Sequence, residues 1–221
     1  MSGEQAAGER RSTGLDDPRA VDILTTEHWS LLSTRTLGYQ EMFGRATIFT
    51  AILSGTIVAL ALLAQATHFG PETLSFALLL FSVTLFIGLT TFIRSVTINY
   101  EDARCVAGMI LLRHAYLQIV PGLEPFFVTG HEPDTEEPSL GHGSRQRPRD
   151  LAKSLTTTSS VVAALNSVLA GALASDVGAL VGVGHVVDAA IGIVVSLVSA
   201  ALHVRYAARF RQSHAPSTRS D

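Results

Sequence analysis

ATIFTAILSGTIVALALLAQAT, Ala46 to Thr67, runs for 22 residues without a charge. A helix that crosses a bilayer needs about 20 consecutive apolar residues. The stretch is therefore long enough to be one span, and the rest of the chain is ordered around it. Arg45 closes it on one side, and HFGPE follows it on the other. A second uncharged run, Thr73 to Ile93, begins almost at once and ends at Arg94. Two more follow later. Ser154 to Ser175 carries no charge, and Val177 to Val204 is broken only by His185, Asp188 and His203. The expectation is four spans, at residues 46–67, 73–93, 155–175 and 186–206. The stretch DVGALVGVGHVVD, Asp176 to Asp188, reads as a short external connection between the last two.

Composition agrees with a membrane chain. Of the 221 residues 47% are hydrophobic and 16% are charged, against about 25% charged in soluble domains. The first apolar run begins too far along the chain for a cleaved signal peptide, so it reads as an uncleaved anchor. Cys105 is the single cysteine, which excludes an intrachain disulfide. Lys153 is the only lysine, and the bias to Arg, Ala, Gly and Val suggests a high-GC bacterial genome.

Basic residues collect on the cytoplasmic side of a membrane. All 16 Lys and Arg fall before Ala46, between Ile93 and Ser154, or after Val204. The two short connections have none. The chain is therefore expected in the bacterial cytoplasmic (inner) membrane, multi-pass, with both termini cytoplasmic and little exposed outside.

The cytoplasmic flanks of the first two spans read as helix. Asp17 can cap and Pro18 suits a first helical position. From there Val21, Leu24, His28, Leu31, Leu32, Tyr39, Met42, Phe43 and Ala46 share one face at 100° per residue, with Thr26, Ser30, Ser33, Thr34 and Glu41 opposite. After Arg94 a matching face holds Val96, Tyr100, Ala103, Ala107, Ile110, His114 and Leu117. No proline interrupts the chain from Pro18 to Pro71, or from Arg94 to Val120. The expected fold is all-α: four transmembrane helices, the first two extended about 40 Å into a cytoplasmic antiparallel helical hairpin at 1.5 Å per residue. Residues 17–120 form that unit, between a disordered tail at 1–16 and a flexible linker at 121–154. Residues 155–211 form a second hairpin, and 212–221 a second tail. Descending from Arg45 and Arg94, facing residues should have numbers summing to about 139. Tyr39 then meets Tyr100, Phe43 meets Val96, and Leu31 and Leu32 face Gly108 and Ala107. Glu27 comes level with Arg113 and Arg35 with Asp102, charges that set the register.

Little in the chain resembles chemistry. TTEHWSLLSTR, Thr25 to Arg35, sets an acid beside a histidine, but neighbours on a helix point about 100° apart, a poor geometry for one acting on the other. GHEPDTEEPSLGHGSRQRPR, Gly130 to Arg149, could offer metal ligands at His131 and His142, yet its Pro, Gly, Ser and charge content is that of a linker. Its basic end, Arg145 to Lys153, suits anionic lipid headgroups. There is no phosphate loop, paired-cysteine site or nucleophile elbow. Asn166 is the one amide near mid-span and is expected to bond between helices. Small residues recur at Ala51, Gly55 and Ala59, at Ala163, Ser167 and Gly171, and at Gly192, Ser196 and Ala200, spacings suited to close helix packing.

EHWSLLSTRTLGYQEMFGRATIFTAILSGTIVALALLAQ (Glu27 to Gln65) and RHAYLQIVPGLEPFFVTG (Arg113 to Gly130) resemble a bacterial family of small four-span membrane proteins of unknown function. The resemblance extends from about Asp16 to Phe210 and carries no catalytic residues. In layout alone, the helix–span–span–helix order is similar to SLATT two-span membrane effectors, which implies membrane perturbation. Three functions follow as expectations. The first is a non-enzymatic interaction or scaffold protein working through its cytoplasmic hairpin. The second is a regulated pore, with the polar start of the third span, Thr156 to Ser160, near the conduit. The third is an enzyme that would need His28, His114 or His131 to converge. No cofactor or metal is expected. Expected partners are membrane lipid, a cytoplasmic protein and further copies of the chain, not nucleic acid.

Overall fold

A computed structural model describes residues 15–68, 70–127 and 157–213. Within them the chain is helical and contains no strand. Four long helices occur: α1, Ala20–Ala66; α2, Pro71–Ile119; α3, Thr158–Val181; and α4, His185–Ser213. All four are long and apolar enough to cross a membrane. The terminal tails, apart from Leu15, Asp16, Gln212 and Ser213, lie outside the described residues, as do the linker after Phe127 and the first two residues of the second hairpin, 155 and 156. The linker begins with a 3-10 turn at Pro121–Phe126, started by the Pro–Gly pair that stops α2.

Local chemistry explains the helix ends. The Asp17 carboxylate accepts the Arg19 backbone N–H at 2.8 Å, satisfying a donor that the first turn leaves free. Pro71 opens α2, where its missing N–H costs nothing. The third connection differs from expectation. α3 continues to Val181 and α4 begins at His185, leaving only Gly182, Val183 and Gly184 between them. Gly182 stops α3 in the left-handed region at φ 77°, its N–H donating to the carbonyls of Gly178 and Ala179. Asp176 and Asp188, which seemed to mark a loop, belong to the helices.

The chain divides into two compact units, Met1–Leu37 with Glu101–Ser139, and Gly38–Tyr100 with Leu140–Asp221. In the first, Leu24, His28, Leu31 and Arg35 of α1 alternate at steps of four and three. Asp102, Cys105, Met109, Leu112 and Tyr116 of α2 do likewise, the spacing of a two-helix seam. All nine are buried or half-buried. A Cβ built on Gly108 would lie 3.0 Å from Leu31, so large does face small at this level. The seam on α2 is rotated from the expected face by about one residue. Asp102, too polar to be chosen by hydropathy, lies in it because Arg35 neutralises it, and Cys105 packs there as a small buried residue. Val21 and Leu32 of α1, expected to be inside, are exposed at 47% and 38%.

In the second unit a seam of the same kind holds Gly38, Met42, Ala46, Phe49, Leu53 and Thr56 on α1, and Thr84, Gly88, Thr91, Ser95 and Ile98 on α2. Its polar members are satisfied locally. Thr84 donates to the Leu80 carbonyl at 2.7 Å, and the Thr56 and Thr84 hydroxyls meet at 3.1 Å. The expected face of α2 turns instead toward α3 and α4. Val96 joins Phe49, Phe92, Val162 and Leu169 in the core, and Tyr100 meets Phe210 edge-on at 5.9 Å. Phe43 is 56% exposed. The amphipathic argument assumed one neighbour for α2, and here the helix has neighbours on two sides.

Candidate functional site

Among the described residues no group of three or more His, Cys, Asp or Glu could hold a metal ion. Interhelical polar contacts are therefore the features to build from. The densest is at Glu41. Its carboxylate accepts Nε and Nη2 of Arg94 at 2.9 and 2.7 Å, and Nε of Arg45 at 2.9 Å. One acid thus links α1 to α2 in a two-bond fork and holds its own helix neighbour four residues on. The hydrogen bonds from Arg94, then those from Arg45, lower the Glu41 pKa to about 2. Hydropathy placed Glu41 on the outer face and missed this role. The signal was present, since Arg45 and Arg94 each close an uncharged run and Glu41 precedes Arg45 by one turn. A depressed carboxylate favours the fold above its ordinary range near 4.5, and the benefit is lost as pH falls toward 2. A carbon-13 NMR titration should find Glu41 still ionised at pH 3, and Glu41→Gln should flatten the acid limb of the stability profile.

Arg35 and Asp102 meet through Arg35 Nε and Nη2, with both side chains less than a third exposed. Losing one partner of such a charge-assisted pair costs roughly 1.5–3 kcal/mol. Asp102→Arg should therefore lower the unfolding midpoint, and adding Arg35→Asp should recover most of the loss. Glu27 and Arg113 are not joined by an ion pair among the described residues, where Arg19–Asp17, Arg35–Asp102, Arg45–Glu41 and Arg94–Glu41 are. Glu27 precedes the seam residue His28, whereas Arg113 follows the seam residue Leu112. In an antiparallel pair those positions lie on opposite flanks. The flank count that had put them together used the unrotated face of α2. Tyr39 stacks on Phe43 with ring centres 6.3 Å apart, and Tyr100 lies against Phe210.

The histidines do not form a site among the described residues. His28 is half-buried beside Tyr116, with ring centres 6.3 Å apart, while His114 is exposed and pairs with Gln118 at 3.0 Å. His131 lies outside the described residues. Burial, then the nearby Asp102, pushes the Cys105 thiol up, so it is a poor nucleophile at neutral pH.

The helix-packing residues separate into two groups. Gly171 and Gly192 bring α3 and α4 into direct backbone contact. A Cβ on Gly171 would fall on Ser196 Oγ and 2.4 Å from the Gly192 carbonyl oxygen. Gly55 has nothing within 4 Å, and Ala51 and Ala59 beside it are exposed, so this stripe packs on nothing among the described residues. Asn166 departs from expectation. It is completely buried, yet neither amide atom has a hydrogen-bond partner. Its Oδ1 lies over Gly88, where a Cβ would overlap it. Gly88, unmarked in the sequence reading, is what lets α3 approach α2 so closely. Asn99 Nδ2 donates to Ser159 Oγ at 2.8 Å and ties the same two helices nearer the start of α3.

No protein-family model, curated protein or solved structure matches this chain.

Proposed function

We propose that the protein is a non-enzymatic interaction or scaffold protein of the bacterial cytoplasmic membrane, with both termini in the cytoplasm. Its α1–α2 segment beyond Arg45 and Arg94 is the docking element. The observation that carries this reading is the apolar surface left over in the first unit. Two helices can bury only the seam between them. Ile23, Trp29, Leu37 and Leu111 are each at least 60% exposed there. An exposed apolar surface outside a membrane marks a site of interaction. The distribution of Arg supports the orientation.

A photo-crosslinking residue placed at Trp29 or Leu111 of the full chain, in cells, should capture a protein, either a second copy or another chain. The same residue at Ser33 should not. A monodisperse monomer with no adduct at any of the three positions would overturn the reading.

A regulated pore, in the manner of the SLATT-like layout, is the second reading. It is favoured by the contact-free Gly55 with exposed Ala51 and Ala59, which offer α1 a close-packing face for other copies. Phe49, Val162 and Asn166 fill the space between helices of one chain, so a conduit would lie between chains. Ion flux from liposomes holding the full chain decides it, and Gly55→Leu should abolish any leak.

A further inference from the structure

From Thr157 to Val204 the chain has no Lys or Arg, and its only ionisable side chains are Asp176, His185, Asp188 and His203. Asp188 is 5% exposed, and its Oδ1 is buried without a hydrogen-bond partner. It presses on α3 where a Cβ at Gly178 would lie 2.5 Å from Oδ1, so only glycine admits it. Asp176 Oδ2, on the same helix pair, is also buried and unpartnered. Every buried hydroxyl of the α1–α2 seam, by contrast, has a partner.

A buried carboxylate must be neutralised, paired or bound to a cation. Among the described residues no ion pair reaches Asp188: Arg205, Arg209 and Arg211 lie at the far end of α4, and His185, one turn before Asp188, is exposed. Ionisable groups inside membrane helices are costly and mark ion or proton sites. We infer that Asp188 binds a small mobile cation, a proton or an alkali ion, between α3 and α4. A carboxylate oxygen suits hard cations, and three or more clustered ligands for a transition metal are absent among the described residues. Ser175 lies one turn further along the same helix contact, its Cβ 3.3 Å from the position of a Cβ on Gly192. The inference is independent of the docking reading above.

Infrared spectroscopy of the full chain in lipid nanodiscs tests it, because a protonated carboxylic acid without a hydrogen bond absorbs apart from the carboxylates. In sodium-free buffer at neutral pH the acid C=O band should be present in the wild type, absent in Asp188→Asn and retained in Asp176→Asn. If added sodium leaves the band unchanged, the cation is the proton. If sodium removes it saturably, while choline at equal ionic strength does not, the cation is the alkali ion. Wild-type spectra at neutral pH with only carboxylate bands, the same with and without sodium, would overturn the inference without recourse to a variant. So would a band that survives in Asp188→Asn.

Discussion

Replacing Gly171 by leucine is expected to open the α3–α4 pair. A Cβ at 171 already overlaps Ser196 Oγ and comes within 2.4 Å of the Gly192 carbonyl, and a backbone atom cannot swing aside as a side chain can. Overpacking a tight contact costs about 1–3 kcal/mol, and the larger end applies where backbone must move. Gly55→Leu, with open space around it, should be nearly silent in a monomer. Denaturant unfolding of the detergent-solubilised full chain gives the readout. Gly171→Leu should lower the midpoint clearly and Gly55→Leu should leave it almost unchanged. Equal midpoints for the two variants would refute the close approach.

The second large effect is expected where α2 meets α3. Gly88→Ala drives a methyl group into the Asn166 amide and toward Phe49, whose ring edge would be 2.6 Å away. Both neighbours are completely buried, so neither has room to yield. A loss of about 1–3 kcal/mol is expected. Asn166→Ala alone removes two buried polar groups that lack partners, offsetting part of the cavity it leaves. Combining the two should recover part of the Gly88→Ala loss, with a coupling of about 0.5–3 kcal/mol as for residues in contact. Detergent-solubilised full chain, unfolded by denaturant, supplies the four midpoints. Additive losses would show that the amide does not lie over Gly88.

These two glycines show where sequence reading stops. Helix existence was legible, because uncharged runs and the prolines at 18, 71 and 121 leave few alternatives. Arg35 and Asp102 were legible too, as opposite charges at matching heights. The rotation of α2 was not. It depends on which of two neighbours claims the apolar face, and hydropathy ranks residues without knowing how many helices surround them. For the same reason small-residue spacing picked out Gly55, which faces outward, and passed over Gly88, which admits Asn166. The continuation of α3 to Val181 was hidden by Asp176, read as a loop marker when it is a helical residue with a buried oxygen.

The three-residue connection of Gly182, Val183 and Gly184 also bears on the order of assembly. The entropy of closing a loop grows with its length, and here the intervening chain is nearly as short as a helical pair allows. Gly171 and Gly192 can therefore find each other by a local search, before any distant segment has been placed. The connection from α1 to α2 is similarly short, so each pair can zip from its turn outward. What remains is the slow, non-local event of bringing one zipped pair to the other. That step joins Phe49 and Phe92 to Val162 and Leu169, and Asn99 to Ser159, across most of the sequence. Lengthening the α3–α4 turn with a flexible insert should slow closure of that pair while leaving the rate of the later encounter almost untouched.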